Sequence, residues 1–310
     1  YLEIGPKVAA NGADGIETAM KRWVAFLVPA ALLAALAVLF AVSAVGREWP
    51  EHASFTTLPY VLMGVTFLLG YLFNQSRASF LCVLLLVVTY WLDVRCFMAP
   101  DAARGRAMLL MASVVVPALA AVLYHMGERG IFNAYGLVRL AIVFSAAAVV
   151  VGLPGIRALS EAVASSRLPL LQDASGSFRV PLAGVLAMAG AVPFLLIRRE
   201  HDSPALGPAF LFAVLSFFLA LNHGGSLWQS GQGYAVFLAF AAGSAVLLAW
   251  GVMESLWRNA YIDELTELPG RRALKNHMAR LGAGYALAVV DVDHFKRIND
   301  RYGPDTGDQV

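Results

Sequence analysis

The sequence predicts a mainly α protein in two parts: a multi-span transmembrane helical bundle, followed by the N-terminal part of an α/β domain. Of the 310 residues, 59% are hydrophobic and 14% are charged, whereas an average soluble chain has about 25% charged residues. The C-terminal residues break this apolar pattern with two polar motifs. We therefore expect a cytoplasmic N-terminal tail at residues 1–21, a transmembrane sensory or anchor domain of about eight helices at residues 22–258, and an incomplete second domain at residues 259–310.

The apolar segments approach the roughly 20 residues that a helix needs to cross a bilayer. In chain order they are Trp23–Val45, Phe55–Phe73, Phe80–Leu92, Met108–Tyr124, Ile131–Leu153, Val180–Ile197, Ala205–Leu221 and Tyr234–Trp257. The third segment is short, since about 13 helical residues rise only about 20 Å against a hydrocarbon core of roughly 30 Å. It either continues past Asp93 toward Pro100 or is buried among the other segments.

Two further features of the apolar part lead to expectations. Arg139 lies inside Ile131–Leu153, where an ionisable side chain is costly. Because it is close to one end of that segment, we expect it to snorkel toward the interface. The last segment, Tyr234–Trp257, can continue as one helix to Ile262, because neither glycine nor proline follows Trp257 before Pro269. We expect this helix to join the two parts without a flexible linker.

The residues after Pro269 have the pattern of a helix, a strand and a polar strand end. In Arg271–Leu281 the apolar residues have helical spacing. Leu287–Val290 is a short apolar run typical of a buried strand, and Asp291 and Asp293 follow it, two residues apart. Mg²⁺ takes one or two protein carboxylates and completes its coordination with water and phosphate oxygens. This pattern predicts a metal and nucleotide site at the end of the strand.

These residues resemble the GGDEF domain, the catalytic domain of diguanylate cyclases. The resemblance begins with DELTELPGRR at residues 263–272, where the family has Asp-x-Leu-Thr-x-Leu-Pro-Asn-Arg-Arg, and it continues with DVDHFKRINDRYGPDTGD at residues 291–308. Two long motifs in the right order make a specific match. Gly270 replaces the usual Asn, and Pro304 replaces the usual His and has no backbone N–H to donate.

The resemblance implies that the site binds Mg²⁺ or Mn²⁺. Asp291 and the backbone carbonyl of Val292 would be the metal ligands. Asp293 is either a further ligand or the cap of the next helix, and both interpretations stay open.

The resemblance also implies a GTP site. Lys296 and the backbone around Phe295 would hold the phosphates, and Asn299 and Asp308 would read the guanine edge, since amide and carboxylate groups match its donors and acceptors. The catalytic residues are unknown, because the Gly-Gly-(Asp/Glu)-Glu-Phe signature does not occur in the 310 residues. We therefore expect this chain by itself to be an inactive part of a cyclase.

The function implied is a membrane-bound diguanylate cyclase, which joins two GTP molecules into cyclic di-GMP as a homodimer that pairs through the GGDEF domain. GTP is cytosolic, and eight spans return both termini to the cytoplasm, so we expect a bacterial inner-membrane protein surrounded by lipid. Two alternatives stay open: a degenerate domain that acts as a nucleotide-binding receptor, and a membrane receptor or transporter that the domain regulates. The net charge of +2 and the lack of a basic cluster argue against nucleic acid as a partner.

Overall fold

The computed structural model describes residues 27–35, 53–94, 102–152, 182–197, 205–226, 231–263, 265–266, 268–282, 286 and 288–310. Most of these residues are helical. The helices are α1 (residues 27–35), α2 (Ala53–Leu72), α3 (Ser76–Leu92), α4 (Ala102–His125), α5 (Ala134–Gly152), α6 (Leu182–Leu196), α7 (Leu206–Ser226), α8 (Gly231–Tyr261), α9 (Arg271–Met278), α10 (Phe295–Tyr302) and α11 (Pro304–Gly307). The chain divides into two compact units, Tyr1–Ser255 and Leu256–Val310, which we call the helical unit and the C-terminal unit.

Within the described residues the predicted spans are mostly helical; the exceptions include residues 131–133, at the beginning of Ile131–Leu153, which are bends. Within the described ranges, three helices are long and apolar enough to cross a membrane, and four apolar helices are shorter. The long ones are Ala107–His125, Ala134–Gly152 and Tyr234–Tyr261, and the shorter ones are Thr56–Leu72, Ser76–Leu92, Leu182–Leu196 and Leu206–Asn222. Of Trp23–Val45 only residues 27–35 are described. The number of eight spans stays a prediction, as does the tail at residues 1–21, which lies outside the described residues.

The short predicted segment Phe80–Leu92 lies in α3 and is enclosed by other helices. Helix α3 packs against α2, α4 and α5, and most of its side chains are buried, among them Phe80, Leu84 and Leu92. This agrees with the interpretation of the segment as one buried among the others. Residues 95–101, through which it would have continued toward Pro100, lie outside the described residues.

Helix α4 is at the centre of the described part of the helical unit, because it packs against α3, α5, α6 and α7. Helix α8 approaches its neighbours closely. A Cβ atom at Gly251 would overlap the Cβ of Ala209 in α7, and the Ser216 hydroxyl of α7 donates to the Phe240 carbonyl of α8 at 2.8 Å. Small residues at helix contacts are typical of bundles that pack in lipid.

Helix α8 also confirms the predicted continuity toward the C-terminal residues. It runs from Gly231 to Tyr261 without interruption, and the Ile262 N–H still donates to the Arg258 carbonyl at 2.8 Å. The chain therefore leaves the last apolar segment as a helix, and a flexible linker is absent from residues 231–262.

The C-terminal unit confirms the predicted helix and contradicts the predicted strand. Helix α9 covers Arg271–Met278, slightly less than the expected Arg271–Leu281. Residues 286 and 288–290 are not in a strand, and residue 287 lies outside the described residues. A strand forms only when its backbone N–H and C=O groups pair with a neighbouring strand. No described segment pairs with residues 288–290, so the described residues of this unit contain helices and no strand.

Candidate functional site

The first motif of the C-terminal unit folds into a closed loop directly after α8. Ile262 and Pro269 form an antiparallel bridge. The Asp263 N–H donates to the Leu268 carbonyl at 2.9 Å, and the Gly270 N–H donates to the Tyr261 carbonyl at 2.7 Å. The loop therefore brings the end of α8 and the start of α9 together. The Asp-x-Leu-Thr-x-Leu-Pro motif therefore has a structural role, which is to form this loop. A motif match in the sequence does not show that role.

The carboxylate of Asp263 stabilises this loop by accepting hydrogen bonds from two other loop residues. One oxygen, Oδ1, accepts hydrogen bonds from the Thr266 N–H at 3.0 Å, the Thr266 hydroxyl at 3.0 Å and the Leu265 N–H at 3.2 Å. These donors, the Thr266 N–H foremost, hold the pKa of Asp263 below its usual range, because they favour the ionised carboxylate. Asp263 is thus a loop-forming residue, for which sequence reasoning had no specific role.

The predicted metal ligands lie just before α10. Asp291 and Val292 are exposed, and the Val292 carbonyl accepts one long hydrogen bond, from the Phe295 N–H at 3.4 Å. A carbonyl oxygen has a second lone pair, so it remains able to bind a cation. These hard oxygen donors fit Mg²⁺, which takes few protein ligands. The described residues contain no group of three or more His, Cys, Asp or Glu side chains that could hold a metal ion, so the fit rests on Asp291 and the Val292 carbonyl.

The structure separates the two interpretations of Asp293. The N-cap of α10 is His294, which has a left-handed backbone with φ of 58° and makes no capping hydrogen bond through its side chain. Asp293 lies in the turn before it and is exposed. The interpretation of Asp293 as the helix cap is therefore wrong. Its possible metal role stays a prediction.

The predicted nucleotide residues fall into two groups along α10. Phe295 and Lys296 occupy the first turn of the helix, where backbone N–H groups attract anions. Asn299 is one turn further on, and its side chain lies against the buried Gly307 so closely that a Cβ atom at Gly307 would overlap it. Asp308 follows Gly307 directly, so the structure brings Asn299 close to the backbone that carries Asp308.

A turn at Gly303 makes this approach possible. Gly303 has φ of 86°, a value that favours glycine, and its N–H donates to the Asn299 carbonyl at 2.9 Å. Pro304 then occupies the beginning of α11, where its missing N–H costs nothing. The departure at Pro304 is therefore compatible with the local fold. The Oδ1 atom of Asn299 is buried against Gly307 and has no hydrogen-bond partner within the described structure.

The helical unit contains a buried carboxylate that no sequence pattern singled out. Asp93, at the end of α3, is 7% exposed. One of its oxygens accepts a hydrogen bond from the Tyr60 hydroxyl of α2 at 2.8 Å, and the other accepts one from the Tyr234 hydroxyl of α8 at 2.7 Å. One carboxylate thus connects three helices. Tyrosines inside apolar runs carry no sequence signal that would have predicted this contact.

A second polar group, which we call the arginine cluster, lies where α3, α4 and α5 meet, with Arg77 and Arg139 buried, Glu128 partly exposed and Arg129 exposed. It consists of Arg77, Glu128, Arg129 and Arg139. The Nε of Arg77 lies 2.6 Å from Oε1 of Glu128, and the Ser76 hydroxyl donates to the other carboxylate oxygen at 2.5 Å. The guanidinium of Arg129 stacks over the Tyr135 ring, 4.3 Å from its centroid.

The burial of Arg139 contradicts the expected snorkelling. The residue is only 2% exposed, and its guanidinium donates to the Ser76 hydroxyl at 2.5 Å and to the Gly127 carbonyl. The side chain turns inward because these oxygens, one from the first residue of α3 and one from the connection between α4 and α5, satisfy donors that would otherwise need water. Its Nε atom is buried and has no hydrogen-bond partner among the described residues.

The C-terminal residues that carry the candidate site are similar to a known protein family. Residues 260–310 match the family model described as the diguanylate cyclase GGDEF domain. The chain is 43% identical over 65 residues to the diguanylate cyclase DgcP of Pseudomonas aeruginosa, which covers 19% of the chain and 10% of that protein. It is 45% identical over 64 residues to the cyclic di-GMP phosphodiesterase NbdA of the same organism, covering 18% and 8%.

A relative from another organism gives the same result. The chain is 41% identical over 56 residues to the diguanylate cyclase VdcA of Vibrio cholerae, which covers 17% of the chain and 16% of that protein. The chain therefore matches less than a fifth of the length of each of these relatives. No solved structure matches the chain significantly.

Proposed function

We propose that the complete protein is a membrane-anchored diguanylate cyclase, because residues 260–310 belong to the GGDEF family. It would join two GTP molecules head to tail into cyclic di-GMP, with one GTP held by each domain of a homodimer. The observation that carries the proposal is the turn and helix at residues 291–308, where the exposed Asp291 and Val292 precede α10 and Asn299 lies against Gly307.

Each site residue has a role that its position supports. Asp291 and the Val292 carbonyl would hold a divalent cation, which when bound polarises the α-phosphate and lowers the pKa of the attacking 3′-hydroxyl. Lys296 would neutralise phosphate charge, beside the backbone N–H groups at the start of α10. Asn299 and Asp308 would bind the guanine edge, because amide and carboxylate groups match its donors and acceptors. The Oδ1 atom of Asn299 is buried against Gly307, so the Asn299 side chain would have to turn outward to reach the base.

We further propose that the apolar helices anchor this domain in the bacterial inner membrane. Three described helices are long and apolar enough to span a bilayer, and a domain that uses GTP must be cytoplasmic. Cysteines introduced one at a time at Ser175 and at the exposed Gln309, in a chain whose own Cys96 is replaced by serine, test the orientation. A membrane-impermeant thiol reagent should label only the cysteine at position 175 from outside. Labelling at position 309 from outside would contradict the proposal.

The substitution Asp291→Asn in the complete protein tests the catalytic assignment. It should abolish cyclic di-GMP formation from GTP with Mg²⁺ or Mn²⁺, because the amide removes a charged metal ligand. Asp305→Asn is the matched control, since Asp305 is an exposed carboxylate of the same unit without an assigned role. Product is measured by chromatography, and binding of Mn²⁺ by paramagnetic resonance. Near-normal turnover of the Asp291 variant would mean that the metal is held elsewhere.

A second function is favoured by one relative. NbdA, which matches the same segment, is named a cyclic di-GMP phosphodiesterase, so this segment also occurs in proteins that are not named cyclases. The complete domain would then bind GTP without joining it and act as a receptor. Binding of radiolabelled GTP together with no cyclic di-GMP would identify this case. The 310-residue chain itself should form no product, because the Gly-Gly-(Asp/Glu)-Glu-Phe signature is not part of it.

A further inference from the structure

The arginine cluster contains more guanidinium charge than its carboxylate can compensate. Among the described residues, Glu128 is the carboxylate near Arg139, and the other charged side chains near it are Arg77 and Arg129. Glu128 already pairs closely with Arg77. The hydrogen bonds of Arg139 go to neutral groups, the Ser76 hydroxyl and the Gly127 carbonyl. In this described region, the charge of Arg139 therefore lacks a dedicated counter-ion, a costly state for a buried cation.

The surface over this cluster is aromatic and apolar. Phe132 is 81% exposed, and Tyr71, Tyr135 and Leu137 are also largely exposed. Tyr71 and Phe132 touch edge to face, with ring centroids 5.3 Å apart. Such a belt of exposed aromatic side chains is typical of the level at which lipid headgroups meet the hydrocarbon core.

Arg129 connects the buried charge with this surface. It is exposed, and its guanidinium lies over the Tyr135 ring. The Arg139 guanidinium donates to the Gly127 carbonyl, two residues before Arg129, so the charges of the two arginines interact. An anion at this position would contact Arg129 directly and would be attracted by the field of Arg139 from behind. A guanidinium can bind a phosphate through two parallel N–H donors.

We propose that Arg129 and the arginine cluster behind it form a binding site for the phosphate of an anionic phospholipid headgroup. The apolar surface of α5 next to the site, which includes Leu137 and Val138, would accommodate an acyl chain. A free phosphate would bind the same guanidinium but would make no contact with the surrounding aromatic and apolar side chains. The inference rests on the proposed membrane location of the helical unit.

The test uses the full chain in detergent, titrated with dioleoyl phosphatidylglycerol or dioleoyl phosphatidylcholine and analysed by native mass spectrometry. Phosphatidylglycerol should bind more tightly than phosphatidylcholine. Arg129→Gln should weaken phosphatidylglycerol binding about fivefold, since one basic residue at a membrane surface contributes about that factor. Arg301→Gln is the matched control, because Arg301 also lies over a tyrosine ring, that of Tyr302. It should leave the binding of both lipids unchanged.

Glu128→Gln provides a result of opposite sign. Removing the negative charge should strengthen phosphatidylglycerol binding, whereas a merely structural role for the cluster predicts no gain. Monodisperse elution and an unchanged helical circular dichroism signal would show that this variant is folded. Should it fail to fold, Arg129→Gln still decides the question, because its side chain is exposed.

Three outcomes would overturn the inference. They are equal affinity for the two lipids, equal effects of Arg129→Gln and Arg301→Gln, and displacement of phosphatidylglycerol by millimolar inorganic phosphate or glycerol 3-phosphate. Failure of the proposed function has a different signature: the chain would then be recovered outside the membrane fraction of the cells that produce it. A chain that remains in the membrane but does not distinguish the lipids contradicts only the headgroup site.

Discussion

The helical unit and the C-terminal unit differ in how far their apolar side chains are buried. In the helical unit, large side chains such as Phe210, Phe217 and Phe237 are fully buried. In the described residues of the C-terminal unit, α9 and α10 contain no buried residue, and Val289 and Val290 are 86% and 91% exposed. The same chain therefore contains one unit with a dense interior and one with its candidate core residues on the surface.

This difference follows from how helices and strands satisfy their backbones. A helix pairs its own N–H and C=O groups, so apolar helices need only side-chain contacts to pack. A strand depends on a neighbour for every hydrogen bond, and an isolated one is not stable in water. Residues 288–290 lack such a neighbour among the described residues. The units thus differ in what each element requires from the rest of the chain.

Among the substitutions that test this difference between the units, Arg77→Ala should have the largest effect on stability. The substitution leaves Glu128 and its buried surroundings without the paired guanidinium, so we expect a loss of about 3 kcal/mol of stability in the helical unit. Unfolding in mixed micelles, followed by tryptophan fluorescence, measures it. The control Arg280→Ala removes an exposed guanidinium of the C-terminal unit and should change stability by less than about 0.5 kcal/mol. Similar losses for both variants would remove the contrast between the units.

A smaller effect is expected at the contact between α7 and α8. Gly251→Ala places a Cβ atom against the Cβ of Ala209, and we expect this overpacking to cost about 2 kcal/mol. Gly64→Ala in α2 is the matched control, because nothing lies within 4 Å of a Cβ atom at that position. It should be neutral or stabilising by up to about 1 kcal/mol, since alanine favours the helix. Equal thermal stability of the two variants would mean that α7 and α8 do not pack this closely.

Sequence patterns predicted the long helices well because the length of an apolar run is a local property. They did not predict the partners of Arg139, since Ser76 is 63 residues away in α3 and the carbonyl of Gly127 is a backbone group that carries no signal of its own in the sequence. The same limit applies to Asp93, whose two tyrosine donors come from α2 and α8. Burial of an ionisable side chain depends on which polar groups the fold brings to it, and a single sequence does not show this.

At the candidate site, too, the sequence identified residues but did not show all of their structural contacts. The motif positions identified Asp291 and Asn299 as functional residues, and the structure keeps Asp291 exposed and places Asn299 against Gly307. The cap interpretation of Asp293 failed because the helix begins one residue later, after His294 in a left-handed conformation. Such a conformation is uncommon for any non-glycine residue, although histidine adopts it more often than most. Their roles in binding metal and nucleotide stay predictions.

The smallest expected effect concerns the loop that opens the C-terminal unit. The donors from Thr266 and Leu265 hold the pKa of Asp263 below its usual range, so the folded loop favours the ionised carboxylate. Its contribution to the loop is present above the pKa of an unfolded aspartate, about 3.9, and is lost as the pH falls through the lower pKa of the folded loop. Carbon-13 resonances of the Asp263 carboxyl group, followed during an acid titration, measure that pKa. Thr266→Val removes the hydroxyl donor and keeps the backbone N–H, so it should raise the pKa only part of the way toward the unfolded value. An unchanged pKa would show that the hydroxyl is not bound to Asp263 in solution, and the loop would then be less ordered than the helical unit that precedes it.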